Sequence, residues 1–159
     1  MAENKTSYSV DLADEAATAR LADRLAPLAR PGDVIALEGD LGAGKTSFAR
    51  AFVRALTHAA EEVPSPTFTL AQLYECEAGT IWHFDLYRLE KPDDALELGL
   101  EEAFADGISL IEWPERLGPW LPRDRLILRL SAAADGGRRA EIGAAGPGWR
   151  QRLKESFGE

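Results

Sequence analysis

Cysteine is almost absent from this chain. Cys76 is the single one in 159 residues, so no internal disulfide can form, and no Cys/His cluster has metal-ligand spacing. Cys76 also lacks a basic sequence neighbour that would activate the thiol, and it reads as inert. Long apolar runs are missing too. Nothing approaches the ~18 apolar residues that a membrane span needs, and residues 1–10 have no apolar core of signal-peptide length. A soluble cytoplasmic protein is the simplest expectation. Positive charge is in deficit: 18 Lys and Arg against 27 Asp and Glu leave a net charge of −9, with a pI near 4.8. That balance argues against broad adhesion to nucleic acid or anionic lipid. It leaves room for a small basic patch, or for contact with RNA through a partner protein. Repeats, linkers and low-complexity tracts are absent, so residues 1–159 read as one domain, and 45% hydrophobic residues suffice for a sizeable core.

Hydrophobic periodicity sets out the elements. Residues 8–10 predict a short strand. Asp14 caps a helix to about Ala29, with Leu21, Leu25 and Leu28 at helical spacing, and Pro31-Gly32 stops it. Val34–Glu38 reads as a buried strand and residues 46–56 as an amphipathic helix. The two prolines of Glu62-Val63-Pro64-Ser65-Pro66 exclude helix and central strand. Residues 67–74 and 80–85 predict strands joined by a hairpin turn at Glu77-Ala78-Gly79. Pro92 begins a helix through Leu98, and the charged run 97–106 reads as a solvated helix face. Residues 108–111 and 126–130 predict strands, 138–142 the return arm of a hairpin, and 149–157 a terminal helix. This alternation implies an α/β domain with a largely parallel central sheet, made mixed by the two hairpins.

Between the second strand and its helix stands Gly39-Asp40-Leu41-Gly42-Ala43-Gly44-Lys45-Thr46. It fits glycine, four residues, glycine, lysine, serine or threonine. The glycines let the backbone approach phosphate oxygens without a Cβ. Successive N–H groups form an anion nest, and the helix start adds unsatisfied N–H groups and the positive end of its dipole. Lys45 supplies a cation for the β and γ phosphates, and Thr46 Oγ is suited to Mg²⁺. A glycine-rich turn matching by chance is the bland alternative. The apolar strand before the loop and the amphipathic helix after it favour a bound nucleoside triphosphate, ATP with Mg²⁺.

A Mg-nucleotide site also needs an acidic residue at another strand end. Asp85 closes Ile81-Trp82-His83-Phe84-Asp85, and Glu112 closes Ile108-Ser109-Leu110-Ile111-Glu112. Both stand where ligands bind in open α/β sheets, at the carboxyl edge; the competing reading is that each caps the next segment. Trp113 either packs near the nucleotide or serves as a core aromatic. His83 reads as a core or surface histidine rather than a catalytic base.

Four segments in order, the loop at 39–46, Ser65-Pro66-Thr67-Phe68, His83-Phe84-Asp85-Leu86-Tyr87-Arg88 and Ile111-Glu112-Trp113-Pro114-Glu115, resemble the TsaE (YjeE) family of bacterial ATPases, which assist formation of threonylcarbamoyladenosine at position 37 of tRNAs. The resemblance spans roughly residues 14–130. It implies a P-loop NTPase-like three-layer sandwich with a mixed, mainly parallel sheet and antiparallel hairpin additions. It implies a small, slow ATPase that is not itself the transferase and that works on the TsaD–TsaB heterodimer, touching tRNA only through that complex. ATP binding would favour the three-protein assembly, and hydrolysis to ADP would reset it. Carried over by motif, Lys45, Asp85 and Thr67 serve turnover, Thr67 in a switch-like loop near the γ-phosphate. Thr46, Glu112 and Asp85 serve the metal. Nucleotide contacts fall to Gly39, Asp40, Leu41, Gly42, Ala43, Gly44, Lys45, Thr46, Ser47 and Trp113, with Glu15 and Thr18 on an N-terminal helix near the nucleoside. The segment 132–148 follows no family pattern that would assign an adenine contact.

Other classes remain open on sequence. A small-molecule or nucleoside kinase shares the size and the loop, but kinases bring arginines on a mobile lid, and between the loop and Glu112 only Arg50, Arg54 and Arg88 occur. A GTPase-like switch lacks its guanine-selecting segment, since Asn4-Lys5 precedes Thr6-Ser7. A nonenzymatic binding module sits poorly with an intact Lys45 and Thr46.

Overall fold

The computed structural model describes residues 7–66 and 69–158. Seven strands form one sheet in the order β1-β7-β6-β2-β5-β4-β3: β1 Ser7–Leu12, β2 Val34–Glu38, β3 Ala71–Cys76, β4 Gly79–Asp85, β5 Ile108–Glu112, β6 Arg125–Ala132 and β7 Arg138–Ala145. The centre is parallel, with β2 between β5 and β6, and β4 beside β5. Both flanks are antiparallel, through β3 against β4 and through β1–β7–β6. Five of the seven strands run the same way.

Helices cover both faces, giving three layers. On one face α1 Glu15–Leu25, α2 Lys45–Leu56 and α4 Pro147–Phe157 bury Leu21, Leu25, Phe48, Phe52, Trp149 and Leu153 against Ile35, Leu37, Ile81, Leu110, Leu126 and Leu128. On the other, α3 Leu100–Asp106 and two 3-10 segments, Pro92–Leu98 and Pro114–Trp120, cover Val34, Trp82, Phe84 and Ile111. Period-two alternation does the sorting: Ile81, His83 and Asp85 take the α2 face, while Trp82 and Phe84 stack on the opposite one with ring centroids 5.9 Å apart. Among the described residues no helix is long and apolar enough to cross a membrane.

Several boundaries differ from the sequence expectation for local reasons. Asp14 caps α1 by accepting from Ala17 N at 2.9 Å, but the α-helix ends at Leu25. Pro27, without an N–H, tightens the chain into a 3-10 turn over Ala26–Leu28. The strand expected over 67–74 starts only at Ala71, because Leu70 is left-handed at φ 69° and cannot lie in an extended strand; Thr67 and Phe68 lie outside the described residues. The hairpin turn is two residues, Glu77 and Ala78, with Gly79 already paired to Cys76. Pro92–Leu98 is 3-10 rather than α, stopped by left-handed Gly99, after which α3 begins inside the charged run. Glu101 and Glu102 are solvated as expected, but Leu100 and Ala103, which flank them, are buried.

Candidate functional site

Three parallel strand ends converge at the carboxyl edge of the sheet. Glu112 pairs with Leu37 of β2 on one side and with Asp85 of β4 on the other. Residues 39–44 leave β2 at the same edge and hand over to α2 at Lys45. The sheet therefore delivers the glycine-rich loop and both carboxylates to one place.

The loop is shaped by positions that reject a side chain. Gly39 has φ +147°, and a Cβ there would come within 2.6 Å of the Leu130 carbonyl oxygen. Gly44, at φ +106°, is the residue from which α2 starts, and a Cβ there would meet Arg138 Cδ at 3.0 Å. Ala43 N donates to Asp40 O at 3.0 Å, closing the loop on itself. The N–H groups of the first turn of α2 have no partner inside their own helix, so an unsatisfied, partly positive helix end opens toward the loop, a natural seat for an anion.

Lys45 is 4% exposed. Its ammonium donates to the Gly39 carbonyl and lies 3.4 Å from the centroid of the Trp113 ring. Burial pushes its pKa down, against the pull of Glu112, Glu115, Asp85 and Asp40. Thr46 Oγ donates to the Glu112 carboxylate, 3.0 and 2.9 Å from its two oxygens. Glu112 is 2% exposed and takes a second hydrogen bond from the His83 imidazole, Nε2 to Oε2 at 2.7 Å. Asp85 accepts from Tyr87 N at 3.1 Å, and its own N–H donates to the Leu70 carbonyl at 3.0 Å. Trp113 is left-handed at φ 61°, and its ring lies against Tyr87, centroids 5.0 Å apart. Strain of this kind in a non-glycine residue beside a strand-end carboxylate is typical of functional sites.

A cavity of about 410 Å³ gathers Leu41, Gly42, Gly44, Lys45, Thr46, Ser47, Asp85, Glu112 and Trp113 from the expected set. Gly39 and Asp40 border a neighbouring cavity instead, and Ala43 is buried at 7% exposure. Glu15 reaches the edge of the site, accepting from Ser47 Oγ at 3.3 Å. Thr18 is 3% exposed on α1 and is not among the residues lining the cavity. Thr67 lies outside the described residues; Ser65 does line the cavity. Sequence reasoning missed Tyr87, Arg138 and the part taken by His83. Arg138, at the start of β7, lines this cavity, lies against Gly44 and reaches the Gly42 carbonyl at 3.5 Å. It also borders a second cavity of about 620 Å³ beside Leu12, Ala13 and residues 131–135.

This donor set suits a magnesium-bound polyphosphate. The helix end and the ammonium match phosphate oxygens. One hydroxyl and one carboxylate, both hard oxygen ligands, match Mg²⁺, which keeps most of its waters and needs no protein cage. Among the described residues no group of three or more His, Cys, Asp and Glu is placed to form such a cage.

Known proteins resemble this chain in sequence and in fold. The family model described as "Threonylcarbamoyl adenosine biosynthesis protein TsaE" matches residues 12–140. The chain is similar to the tRNA threonylcarbamoyladenosine biosynthesis protein TsaE of Rickettsia conorii, 40% identical over 82% of this chain and 75% of that one. It is likewise similar to the protein of that name from Bacillus subtilis, 38% identical over 87% and 86% of the two chains. The crystal structure of Bacillus subtilis YdiB superposes with a TM-score of 0.78 and 31% identity, covering 97% of this chain and 95% of the other. The chain, a P-loop fold by this likeness, belongs to the TsaE family and has its role in tRNA threonylcarbamoyladenosine biosynthesis.

Proposed function

We propose that this chain binds Mg-ATP at the loop and strand-end site, hydrolyses it slowly to ADP, and thereby acts as a nucleotide switch on a TsaD–TsaB heterodimer. The observation that carries the reading is the meeting of Thr46 Oγ with the Glu112 carboxylate at 2.9–3.0 Å, at the start of α2 and beside Lys45. A hydroxyl and a buried carboxylate held together at a helix start, with a cation next to them, is an arrangement that Mg-triphosphate chemistry needs.

In this reading residues 39–47 wrap the phosphates with backbone N–H groups, and Lys45 leaves the Trp113 face to neutralise the β and γ oxygens. Thr46, Glu112 and Asp85 would hold Mg²⁺, which would supply charge neutralisation at the transferred phosphoryl group. Asp85 lines the same cavity one strand from Glu112. It orients the attacking water and accepts its proton. Trp113 and Tyr87 wall the site. Glu15, through Ser47, and Arg138 flank the nucleoside, for which the larger cavity beside residues 131–135 has room. Thr67 keeps its part near the γ-phosphate on the Ser-Pro-Thr motif. The modification chemistry itself belongs to the partner pair, tRNA is met only through that complex, and the work is cytoplasmic.

The test is ATP turnover and nucleotide-dependent complex formation with and without the partner heterodimer. The reading expects slow turnover alone, and faster turnover or tighter association with the pair when ATP and Mg²⁺ are present. Failure to bind nucleotide removes the site assignment. Nucleotide binding with no association removes the switch.

A further inference from the structure

His83 is buried completely, yet its imidazole Nε2 lies 2.7 Å from Oε2 of Glu112. Strand geometry produces the contact. His83 and Asp85 stand two positions apart in the strand, with Phe84 between them, so both side chains take the α2 face of β4. Asp85 is in register with Glu112 on β5, which leaves His83 one pleat back and diagonal to the same carboxylate. A carboxylate offers only lone pairs, so Nε2 carries a proton and donates it to Glu112.

We infer that His83 is a positioning residue for the metal site: it holds the Glu112 carboxylate in the rotamer that serves Mg²⁺, through a hydrogen bond that metal binding does not consume. Among the described residues, the Thr46 hydroxyl and His83 donate to Glu112. A cation taken by both Thr46 Oγ and Glu112 would reshape the contact between them, even with the hydroxyl proton still turned to the carboxylate. The imidazole then remains to fix the carboxylate plane and to satisfy Oε2. Partners of this outer kind orient a ligand as its own packing cannot, and losing one typically weakens metal binding 10–100-fold. The role requires a donor at one point and no change of charge. It is distinct from general-base catalysis, because Nε2 is already committed and the ring is sealed from solvent.

The inference rests on the Mg-nucleotide reading, and the experiment separates the two. Gln and Met are nearly isosteric, and only Gln offers an N–H at the end of the chain. Parent, H83Q and H83M proteins are titrated with ADP by calorimetry, once in EDTA and once in Mg²⁺. Mn²⁺ binding to each ADP complex is followed by electron paramagnetic resonance. The expected result is metal-free ADP affinity equal within about two-fold in all three. The metal-dependent gain and the Mn²⁺ affinity fall about 10–100-fold in H83M and are largely kept in H83Q. The inference is overturned if H83M keeps the full metal response, if H83Q is as poor as H83M, or if metal-free affinity falls in step, which would mark a packing role. H83L replaces H83M if the latter does not fold. A parent protein with no metal-dependent gain overturns the Mg-nucleotide reading as well.

Discussion

The Lys45 ammonium lies 3.4 Å from the centre of the Trp113 indole, with the Gly39 carbonyl as its other partner. The cation that should meet the phosphates is held by an aromatic face and its own loop. A triphosphate must draw it away, so Trp113 emission should change on nucleotide binding. The chain has four tryptophans, and the assignment is made by difference: the nucleotide-dependent signal is expected to vanish in Trp113→Phe while calorimetry still detects binding. An undiminished signal in that variant would place the reporter elsewhere.

Lys45 carries a stability consequence with a definite sign. Burial holds its pKa below the ordinary 10.5. Between the lowered value and 10.5 the unfolded chain binds the extra proton, so stability rises with pH there. Below the lowered value both states are protonated and the whole penalty is present. Lys45→Met should therefore lose nucleotide binding yet melt no lower than the parent at pH 7, and the parent should gain on the variant as pH rises toward 10.5. Melting curves across pH 7–10 check this; a variant markedly less stable at pH 7 would show that Lys45 is a net structural asset.

Asp85 and Glu112 share a register, and the proposed function gives them different roles. Asp85→Asn keeps the shape and the acceptor for Tyr87 N but loses the carboxylate. ATP affinity should stay within a few-fold, with turnover down about 10²-fold, the usual scale for a lost proton acceptor. Single-turnover hydrolysis with bound ATP measures the step directly. Loss of binding equal to the loss of turnover would reassign Asp85 to the ground state.

Gly39→Ala tests the loop rather than its chemistry. A Cβ there would sit 2.6 Å from the Leu130 oxygen at φ +147°, and the backbone of β6 cannot yield as a side chain can. A loss of about 1–3 kcal/mol is expected, read by denaturant titration, together with loss of ATP binding. Normal stability would mean that the loop adopts another path.

What could be read from sequence follows how far apart the relevant residues lie. The phosphate loop is contiguous, so its glycines, Lys45 and Thr46 declare themselves. Asp85 and Glu112 are each visible as the polar end of an apolar strand, and the structure puts them opposite each other. Arg138 was invisible, because its approach to Gly44 depends on how the β1–β7–β6 flank is laid beside β2. His83 reads from sequence as a core or surface histidine rather than a catalytic base, and it is a core one; its partner stays hidden for the same reason, since nothing in Trp-His-Phe tells which residue of another strand it will face. Thr18 shows the opposite limit. The family resemblance puts it on an N-terminal helix near the nucleoside, and in the structure helical periodicity turns its side chain inward. Leu70 and Pro27 moved element ends through backbone preferences that hydrophobic pattern does not register.

The pairing of β2 with β5 also bears on how the molecule forms. The two hairpins, β3–β4 and β6–β7, close through short turns and can form early. Val34 and Ser109, by contrast, come together across about 75 residues of chain, and closing a long loop to make a parallel pair is the slow, entropy-limited kind of event. That same closure brings Thr46 to Glu112. Nucleotide competence should therefore appear only with the last cooperative step of refolding, so a nascent or damaged chain offers no half-made site to compete for ATP.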